Sequence, residues 1–339
     1  MAETKQALDA ATLKAFEHAA AGHDGVLSSA AGDLLIKPCT QAEVDFYQST
    51  LTQHPDFAEM MPTFLGTLTL GEPAQLTNPT ALHEPAEILR QQDASGTGQP
   101  GKKLKTDTAI VLENLEAAFR HANVLDLKLG ARLYADGTEA DKAARLDQVA
   151  AETTSGSLNF RIAGMKVWNG VEYDKYDKLY GRKFRAGNVL EGFATFFAGL
   201  STALEAHEAQ LLLETILAEV AKVRHMLQKY ESRMYSASVL VVYEGDGEAL
   251  RALMSGGGEA KVKTPMADER APTEAEVKES VDQEEEEEEE DGGPPVAFKV
   301  RVIDFAHAEW TPGEGPDENV LKGLNSIEDQ LDDLIARFD

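Results

Sequence analysis

The chain has 339 residues, of which 42% are apolar, enough for one two-lobed domain or two small domains with a substantial core. A formal net charge of −27 argues against general attraction to nucleic acid or anionic membranes, so no direct nucleic-acid binding is expected. No apolar run approaches the roughly 18–20 residues of a transmembrane segment, and the N-terminus lacks a secretory signal. Cys39 is the only cysteine, which excludes an internal disulfide and favours a reducing compartment, the nucleus or the cytoplasm.

The negative charge is concentrated in one segment. Residues 266–295 hold fourteen acidic residues against two basic ones, and seven consecutive glutamates occupy 284–290. Such a segment repels itself and cannot bury apolar area, so we predict a disordered loop over about 256–295. Residues 101–190 instead carry a net charge of +3, which fits either a site for a compact anion or an ordinary solvated surface.

The apolar pattern predicts the following elements in chain order. A helix over about 5–20 precedes a hairpin whose second strand covers 34–37, and a capping-box sequence at 40–43 opens a helix to about 52. Short β-rich runs bounded by turns predict strands at 63–70, 108–115, 124–128, 159–168, 238–243 and 298–305. Helices are predicted at about 139–151, 202–231 and 317–338. This order predicts an α+β fold with two lobes.

Two of these strands carry the side chains best suited to chemistry. Asp126 and Lys128 lie two residues apart, on one face of a strand that ends at Gly130. Asp304 ends an apolar strand in the run 303–307, Ile-Asp-Phe-Ala-His, a pattern typical of the metal-holding aspartate in kinase-type phosphoryl transfer. Taken alone, an ordinary surface ion pair and a strand-ending cap explain these residues as well.

Together, the motifs resemble one family, the inositol polyphosphate kinases, and most closely its fungal multikinases. The family signature P-x-x-x-D-x-K-x-G is similar to residues 122–130, and related motifs follow at 155–166, 180–182, 237–240 and 303–307. The resemblance extends from about residue 22 to the C-terminal helix. Two positions depart from the family pattern. Ala122 replaces the signature proline, and Ala237 replaces a serine, which we expect to remove a hydroxyl near the nucleotide.

The resemblance implies a two-lobed inositol polyphosphate kinase fold, like a reduced protein kinase, with ATP between the lobes and a small helical substrate-binding insertion. The N-terminal lobe would cover 1–115, with a hinge near 113–115, and the C-terminal lobe would cover 116–339. Inositol-binding helices would lie at about 136–152. Only about thirty residues separate Gly130 from Phe160, and such a short insertion suits the open site of a multikinase.

The resemblance also assigns roles to individual residues. Lys128 and Asp304 would be catalytic, with Asp304 holding Mg²⁺ for the co-substrate ATP. Nucleotide-binding residues would be Lys37, Glu113, Leu115, Asp126 and Ser238. Glu43 would pair with Lys37 unless it only caps its helix. The residues lining the inositol site would be Lys128, Lys142, Arg145, Lys178, Arg182 and His307, with Arg132, Arg161 and Lys166 as weaker candidates.

The implied activity is transfer of the ATP γ-phosphate to hydroxyls of soluble inositol tris- and tetrakisphosphate, to give the pentakisphosphate. Alternatives with the same chemistry are an inositol hexakisphosphate kinase and a kinase of phosphoinositide headgroups. An alternative of another class is an acidic nuclear scaffold whose tract at 284–291 binds basic proteins such as transcription factors. A protein kinase is disfavoured because the chain contains no His-Arg-Asp catalytic loop.

Overall fold

The computed structural model describes residues 13–16, 25–69, 106–255 and 296–338, and the predicted acidic loop lies outside these ranges. The first part of the chain forms a five-stranded antiparallel sheet with the order β1-β2-β3-β5-β4. Its strands are β1 (Lys14–Ala15), β2 (Leu27–Ser28), β3 (Leu34–Pro38), β4 (Phe64–Thr69) and β5 (Thr108–Glu113). The helix predicted at 5–20 is wrong at Lys14 and Ala15, because these two residues pair with β2.

The second part of the chain forms another five-stranded antiparallel sheet, with the order β11-β10-β6-β7-β8. Its strands are β6 (Ala122–Leu129), β7 (Phe160–Trp168), β8 (Tyr173–Tyr176), β10 (Ser238–Glu244) and β11 (Phe298–Ile303). A separate ribbon pairs β9 (Ser232–Met234) with β12 (Ala308–Trp310). The strands of the first sheet therefore all precede residue 114 and those of the second all follow it, while the proposed lobe boundary at 115 stays a prediction.

Ten helices occur in the described part of the chain. Two follow β3, namely α1 (Gln41–Gln53) and α2 (Pro55–Ala58). The others are α3 (Ala140–Ala151), α4 (Thr154–Leu158), α5 (Lys178–Gly181), α6 (Leu190–Phe196), α7 (Leu200–Ala203), α8 (Ala206–Lys229), α9 (Gly247–Ser255) and α10 (Glu318–Ile335). The helices predicted at about 202–231 and 317–338 correspond to α8 and α10, which pack against each other in the main core. Among the described helices, none is both long and apolar enough to span a membrane. The predicted α+β fold is confirmed.

The alternation of β6 separates a core face from a polar face. Leu125, Leu127 and Leu129 are fully buried in the main apolar core. Asp126 and Lys128 point to the other face, where Lys128 lies opposite Ser238 of β10. Since directly opposed residues of an antiparallel pair share a face, the sheet gathers polar side chains of three adjacent strands on the side turned toward the first sheet.

Aromatic packing and a main-chain hydrogen bond join the helical segment between β3 and β4 to the region of β11 and β12. The Val302 amide donates to the Met60 carbonyl at 2.7 Å. The Phe46 ring of α1 stacks on Phe305 and on Trp310, with ring centroids 4.8 and 5.0 Å apart. The Trp310 indole N–H also donates to the Thr50 hydroxyl at 3.1 Å. These contacts fix α1 against the end of β11, and so they fix the width of the space between the sheets.

The turn after β6 depends on Gly130, whose φ is +89°. The Asn319 side chain of α10 fills the space beside it. Its Oδ1 accepts hydrogen bonds from the Ala131 and Arg132 amides at 2.8 and 3.0 Å, and its Nδ2 donates to the Arg132 carbonyl at 3.0 Å. A Cβ at position 130 would collide with this amide. The glycine of the signature is therefore required both by its backbone angle and by the close approach of α10.

We predict that Gly130→Ala lowers the free energy of unfolding by about 3 kcal/mol, because backbone strain and a collision act together. Gly137→Ala is the matched control, since Gly137 also has a positive φ, of +77°, but has open space around it. Strain alone should cost this control about 1 kcal/mol. Urea unfolding of the two variants measures both losses, and equal losses would contradict the proposed role of Asn319.

Candidate active site

A cavity lies between the two sheets and beside the segment that connects them. Four of the five predicted nucleotide-binding residues line it, namely Lys37, Glu113, Leu115 and Asp126. Asp304 lines it as well, and the fifth predicted residue, Ser238, lies opposite Ile303, which is part of the wall. The structure therefore brings residues from distant parts of the chain to one cavity.

The Asp304 carboxylate is shared by two lysines, one from each sheet. Lys37 Nζ of β3 lies 2.9 Å from Asp304 Oδ1, and Lys128 Nζ of β6 lies 3.3 Å from Asp304 Oδ2. Lys128 also donates to the Ser236 carbonyl at 2.7 Å. The three charged side chains are 13–16% exposed, and two of them, Lys37 and Asp304, line the cavity. This arrangement places two ammonium groups and one carboxylate at a single point between the sheets.

Glu43 supports this cluster from α1. Its backbone amide donates to the Thr40 hydroxyl that caps the helix, whereas its side chain lies 2.8 Å from Lys37 Nζ and accepts from the Phe305 amide at 3.3 Å. Burial alone would lower the pKa of Lys37, but the carboxylates of Asp304 and Glu43 outweigh it and raise the pKa. Lys37 is therefore charged at neutral pH. The side chain of Glu43 serves as its partner, while the helix cap is the Thr40 hydroxyl.

Asp304 adopts a strained backbone conformation, with φ of +68°. A non-glycine residue in this left-handed region costs on the order of 1 kcal/mol or more and persists only when its surroundings hold it. Here the following residue is held on two sides, since the Phe305 amide binds Glu43 and its ring stacks on Phe46. The strain thus coincides with the carboxylate that joins the two sheets.

Asp126 and Ser238 are buried neighbours that are poorly hydrogen-bonded. They are 2% and 0% exposed, and within the described ranges Asp126 Oδ1 and Ser238 Oγ have no partner with good hydrogen-bond geometry. Burial raises the pKa of Asp126 to about 6, a rise that Asp304 increases and that Lys128 and the nearby Ser238 hydroxyl oppose. Buried polar groups are normally hydrogen-bonded, so these atoms next to a cavity indicate a place for the hydroxyl groups of a ligand.

The replacement at Ala237 has no effect on this polar face. Ala237 is fully buried in the main apolar core, whereas Ser238 is the residue that lies opposite Lys128. The expectation that Ala237 removes a hydroxyl near the nucleotide is therefore wrong, because this side chain lies in the core. Ala122 is likewise buried, in a small apolar cluster at the start of β6.

A pair of arginines lies beside Lys128. Arg161 of β7 is directly opposite Lys128, and its guanidinium donates to the Ser155 hydroxyl at 2.8 Å. Burial first, and then repulsion from Arg182, lowers the pKa of Arg161 to about 10, against the attraction of Asp126. Arg182 Nε is buried without a hydrogen-bond partner in the described chain. The repulsion shows that the two guanidiniums are near each other, and two such groups together suit the binding of an anion. The sequence ranked Arg161 below Arg182, but the structure couples the two.

The other predicted inositol-site residues divide into two groups. Burial first, and then Lys142 and Lys128, lowers the pKa of His307, so His307 lies near both lysines. Arg145 and Lys178 are exposed on α3 and α5, and within the described ranges the structure shows no hydrogen bond or ion pair of their side chains.

The two remaining candidates are engaged elsewhere. Arg132 pairs with Asp136 and lies about 5 Å from the ring centroids of Tyr134 and Tyr235. Lys166 is buried against Glu116 on the wall of the cavity between the sheets. Neither belongs to the arginine pair.

The donor set fits a metal that arrives with a phosphate ligand. Within the described ranges, no group of three or more His, Cys, Asp or Glu side chains could hold a metal ion. Mg²⁺ in nucleotide sites commonly takes one or two carboxylates and completes its shell with phosphate oxygens and water. Asp304, at the end of the cavity where the two lysines converge, supplies such a carboxylate.

We predict that Asp126→Asn stabilises the nucleotide-free protein increasingly as the pH rises. The folded protein binds a proton at Asp126 more tightly than the unfolded chain does, since its pKa is about 6 rather than 3.8, so the charged form costs stability above pH 6. Relative to the wild type, the variant should gain about 1 kcal/mol between pH 5 and pH 7.5. Urea unfolding at both pH values tests this, and a gain that does not depend on pH would contradict it.

Comparison with known proteins identifies the family. A family model described as inositol polyphosphate kinase matches residues 109–332. The inositol polyphosphate multikinase of Saccharomyces cerevisiae is 32% identical, over 93% of this chain and 97% of that protein. The multikinase of Schizosaccharomyces pombe is 33% identical, over 68% of this chain and 80% of that protein. The inositol hexakisphosphate kinase 1 of Mus musculus is 30% identical, over 70% of this chain and 54% of that protein.

Solved structures agree with this assignment. The crystal structure of the S. cerevisiae inositol phosphate multikinase in complex with ADP and Mn²⁺ superposes with a TM-score of 0.62, at 27% identity, over 90% of this chain and all of that one. A second multikinase structure shares the fold, with a TM-score of 0.51 at 17% identity. The predicted family and its two-lobed kinase-like fold are confirmed. The chain belongs to the inositol polyphosphate kinase family.

Proposed function

We propose that the protein is an inositol polyphosphate multikinase, which uses Mg²⁺ and ATP to phosphorylate inositol tris- and tetrakisphosphate. The observation that carries this proposal is the convergence of Lys37, Lys128 and Asp304 at one end of a cavity, next to the arginine pair Arg161 and Arg182. The first cluster suits a triphosphate and its metal, and the second suits a phosphorylated acceptor. Lys128 lies between the two.

The nucleotide would bind along the cavity. The Leu115 amide and carbonyl, in the segment that connects the two sheets, make no backbone hydrogen bond within the described chain and suit the edge of a base. Asp126 Oδ1 suits a ribose hydroxyl. Lys37 and Lys128 would contact the phosphates, and their charges would offset negative charge on the group being transferred. Mg²⁺, when bound at Asp304, supplies further positive charge at the phosphates.

The acceptor would bind on the other side of Lys128. Arg161 and Arg182 would hold one phosphate of the acceptor, and Lys142 and His307 would contact the opposite side of its ring. The short insertion between β6 and β7, where the acceptor-binding helices were predicted, contains only α3 and α4. Ala150 is the only buried residue of α3. A small, loosely anchored cover of this kind would let one acceptor enter in more than one orientation, as sequential phosphorylation requires. Rate enhancement would come mainly from positioning and charge neutralisation.

The extent of the similarity favours a multikinase over the hexakisphosphate kinase alternative. The S. cerevisiae multikinase aligns with 93% of this chain, whereas the mouse hexakisphosphate kinase aligns with 70%. Residues 284–291, for which we proposed basic protein partners, lie outside the described ranges, so that role stays a prediction. A location in the nucleus and cytoplasm is likewise a proposal, supported by a buried free thiol at Cys39.

The experiment that tests the proposed function measures turnover of inositol 1,4,5-trisphosphate with Mg-ATP, with the products separated by anion exchange. We expect tetrakis- and pentakisphosphate from the wild type. Lys128→Ala and Asp304→Asn should each lower kcat at least 100-fold, because each removes a charge that acts on the transferred group. Asparagine tolerates the left-handed backbone at 304, so the second variant should keep its fold.

Arg161→Gln should instead raise the KM for the inositol phosphate about 10-fold and leave the KM for ATP unchanged, since it removes one charge-assisted contact to the acceptor. Arg337→Gln, which breaks an exposed ion pair with Glu191, is the control and should match the wild type. Full activity of Lys128→Ala, or an unchanged acceptor KM in Arg161→Gln, would contradict the proposed site.

A further inference from the structure

The Glu116–Lys166 ion pair lies on the wall of the cavity and plays no part in the site described above. Lys166 of β7 is 2% exposed, its ammonium contacts Glu116 Oε2, and the same ammonium lies 4.7 Å from the centroid of the Tyr173 ring. Glu116 is 16% exposed and lines the cavity directly after Leu115. The pair therefore joins the second sheet to the segment that connects the sheets.

A buried lysine of this kind carries a desolvation cost that a single carboxylate does not readily offset. Replacing such a pair by apolar side chains of similar size is often neutral or stabilising, so the pair is weak support for a role in stability alone. Burial raises the pKa of Glu116, and Lys166 opposes that rise. The lysine contacts one carboxylate oxygen and so holds the acceptor in place next to the cavity.

This carboxylate has capacity for another hydrogen bond. One oxygen contacts Lys166, and within the described ranges no other hydrogen bond to the carboxylate occurs. The Glu116 backbone is held in place, because its amide donates to Asn114 Oδ1 at 3.1 Å and its carbonyl accepts from the Phe119 amide at 3.1 Å. A rigid backbone and an anchored first oxygen leave the second oxygen in a defined position.

The position along β6 assigns this acceptor to the nucleoside end of the cavity. Lys166 lies directly opposite Val124, which also lines the cavity, and Lys128 is four residues further along the strand. At about 3.3 Å per residue, the backbone position of Lys166 is about 13 Å along the sheet from that of Lys128, one of the two lysines that would bind phosphate. A carboxylate would repel a triphosphate. At this distance from the phosphates, however, the base and the ribose of the nucleotide would lie beside it, and both carry hydrogen-bond donors.

We propose that Glu116 is a nucleoside-binding residue whose second carboxylate oxygen accepts a hydrogen bond from a ribose hydroxyl or a base amino group, and that Lys166 is the positioning residue that holds this carboxylate. The proposal rests on the proposed function, because it requires the nucleotide to bind in this cavity. It assigns Lys166, a candidate for the inositol site on sequence grounds, to recognition of the nucleotide.

The test measures the binding of ADP with Mg²⁺ by calorimetry, without an acceptor. Because Glu116→Ala would leave Lys166 buried and unpaired, the main variant is the double change Glu116→Ala with Lys166→Met, which removes both charges. It should bind ADP about 10-fold more weakly than the wild type, the loss expected for a hydrogen bond to a charged group. The control is Glu328→Ala with Arg224→Met, which removes an ion pair between α8 and α10, outside the cavity lining; Glu328 is 17% exposed, like Glu116, although Arg224 is more exposed than Lys166. This control should bind ADP like the wild type.

Nucleotide analogues separate direct contact from a general loosening of the fold. We would compare 2′-deoxy-ADP, 3′-deoxy-ADP and the diphosphate of purine riboside, which lacks the amino group. One of these analogues should bind the wild type much more weakly than ADP does, but should bind the double variant almost as tightly as ADP does. The group that this analogue lacks is the hydrogen-bond donor to Glu116. The proposal is overturned if every analogue loses the same factor on both proteins, or if the double variant binds ADP like the wild type. A wild type that binds no ADP would instead overturn the nucleotide site itself.

Discussion

The structure depends on one carboxylate shared between two sheets. Asp304 contacts a lysine of the first sheet and a lysine of the second, and Glu43 gives the first of these lysines another partner. Charges removed from water are tolerated only when they are paired, and in this cluster two ammonium groups balance two carboxylates. A triphosphate placed between Lys37 and Lys128 would give each lysine a further anionic partner. The same pairing that holds the sheets together therefore prepares the site for its nucleotide.

The position of Asp304 is secured by packing that has no polar function. Phe305 follows it, stacks on Phe46 and meets Tyr47 edge to face. Those aromatic residues belong to α1, the helix that also carries Glu43, so one helix controls both the backbone and the partner of the site. A strained residue at φ of +68° is stable only with such support.

Much of the site follows from strand periodicity and motif order. The alternation of β6 placed Asp126 and Lys128 on one face, and the apolar run before Asp304 identified a strand end. The importance of Arg161 was not predictable, since its role depends on the proximity of Arg182 and on pairing with Lys128. Nor could the sequence show that Ala237 faces the core, because its placement depends on where β10 begins.

Local irregularities account for the other differences. Arg161 and Lys166 are five positions apart, which in a regular strand would put them on opposite faces. The register of β7 against β6 shifts between Asp126 and Leu127, and the extra residue brings both side chains toward the cavity side of the sheet. At the N-terminus, the composition favours a helix, but pairing with β2 makes Lys14 and Ala15 a strand. In each case a tertiary contact outweighs the local preference.

The most direct test of this account is a crystal structure with Mg²⁺ and a non-hydrolysable ATP analogue. The account predicts a metal bound by Asp304, with the γ-phosphate between Lys37 and Lys128 and the ribose at Asp126. A triphosphate bound outside the cavity, or a metal held without Asp304, would contradict it.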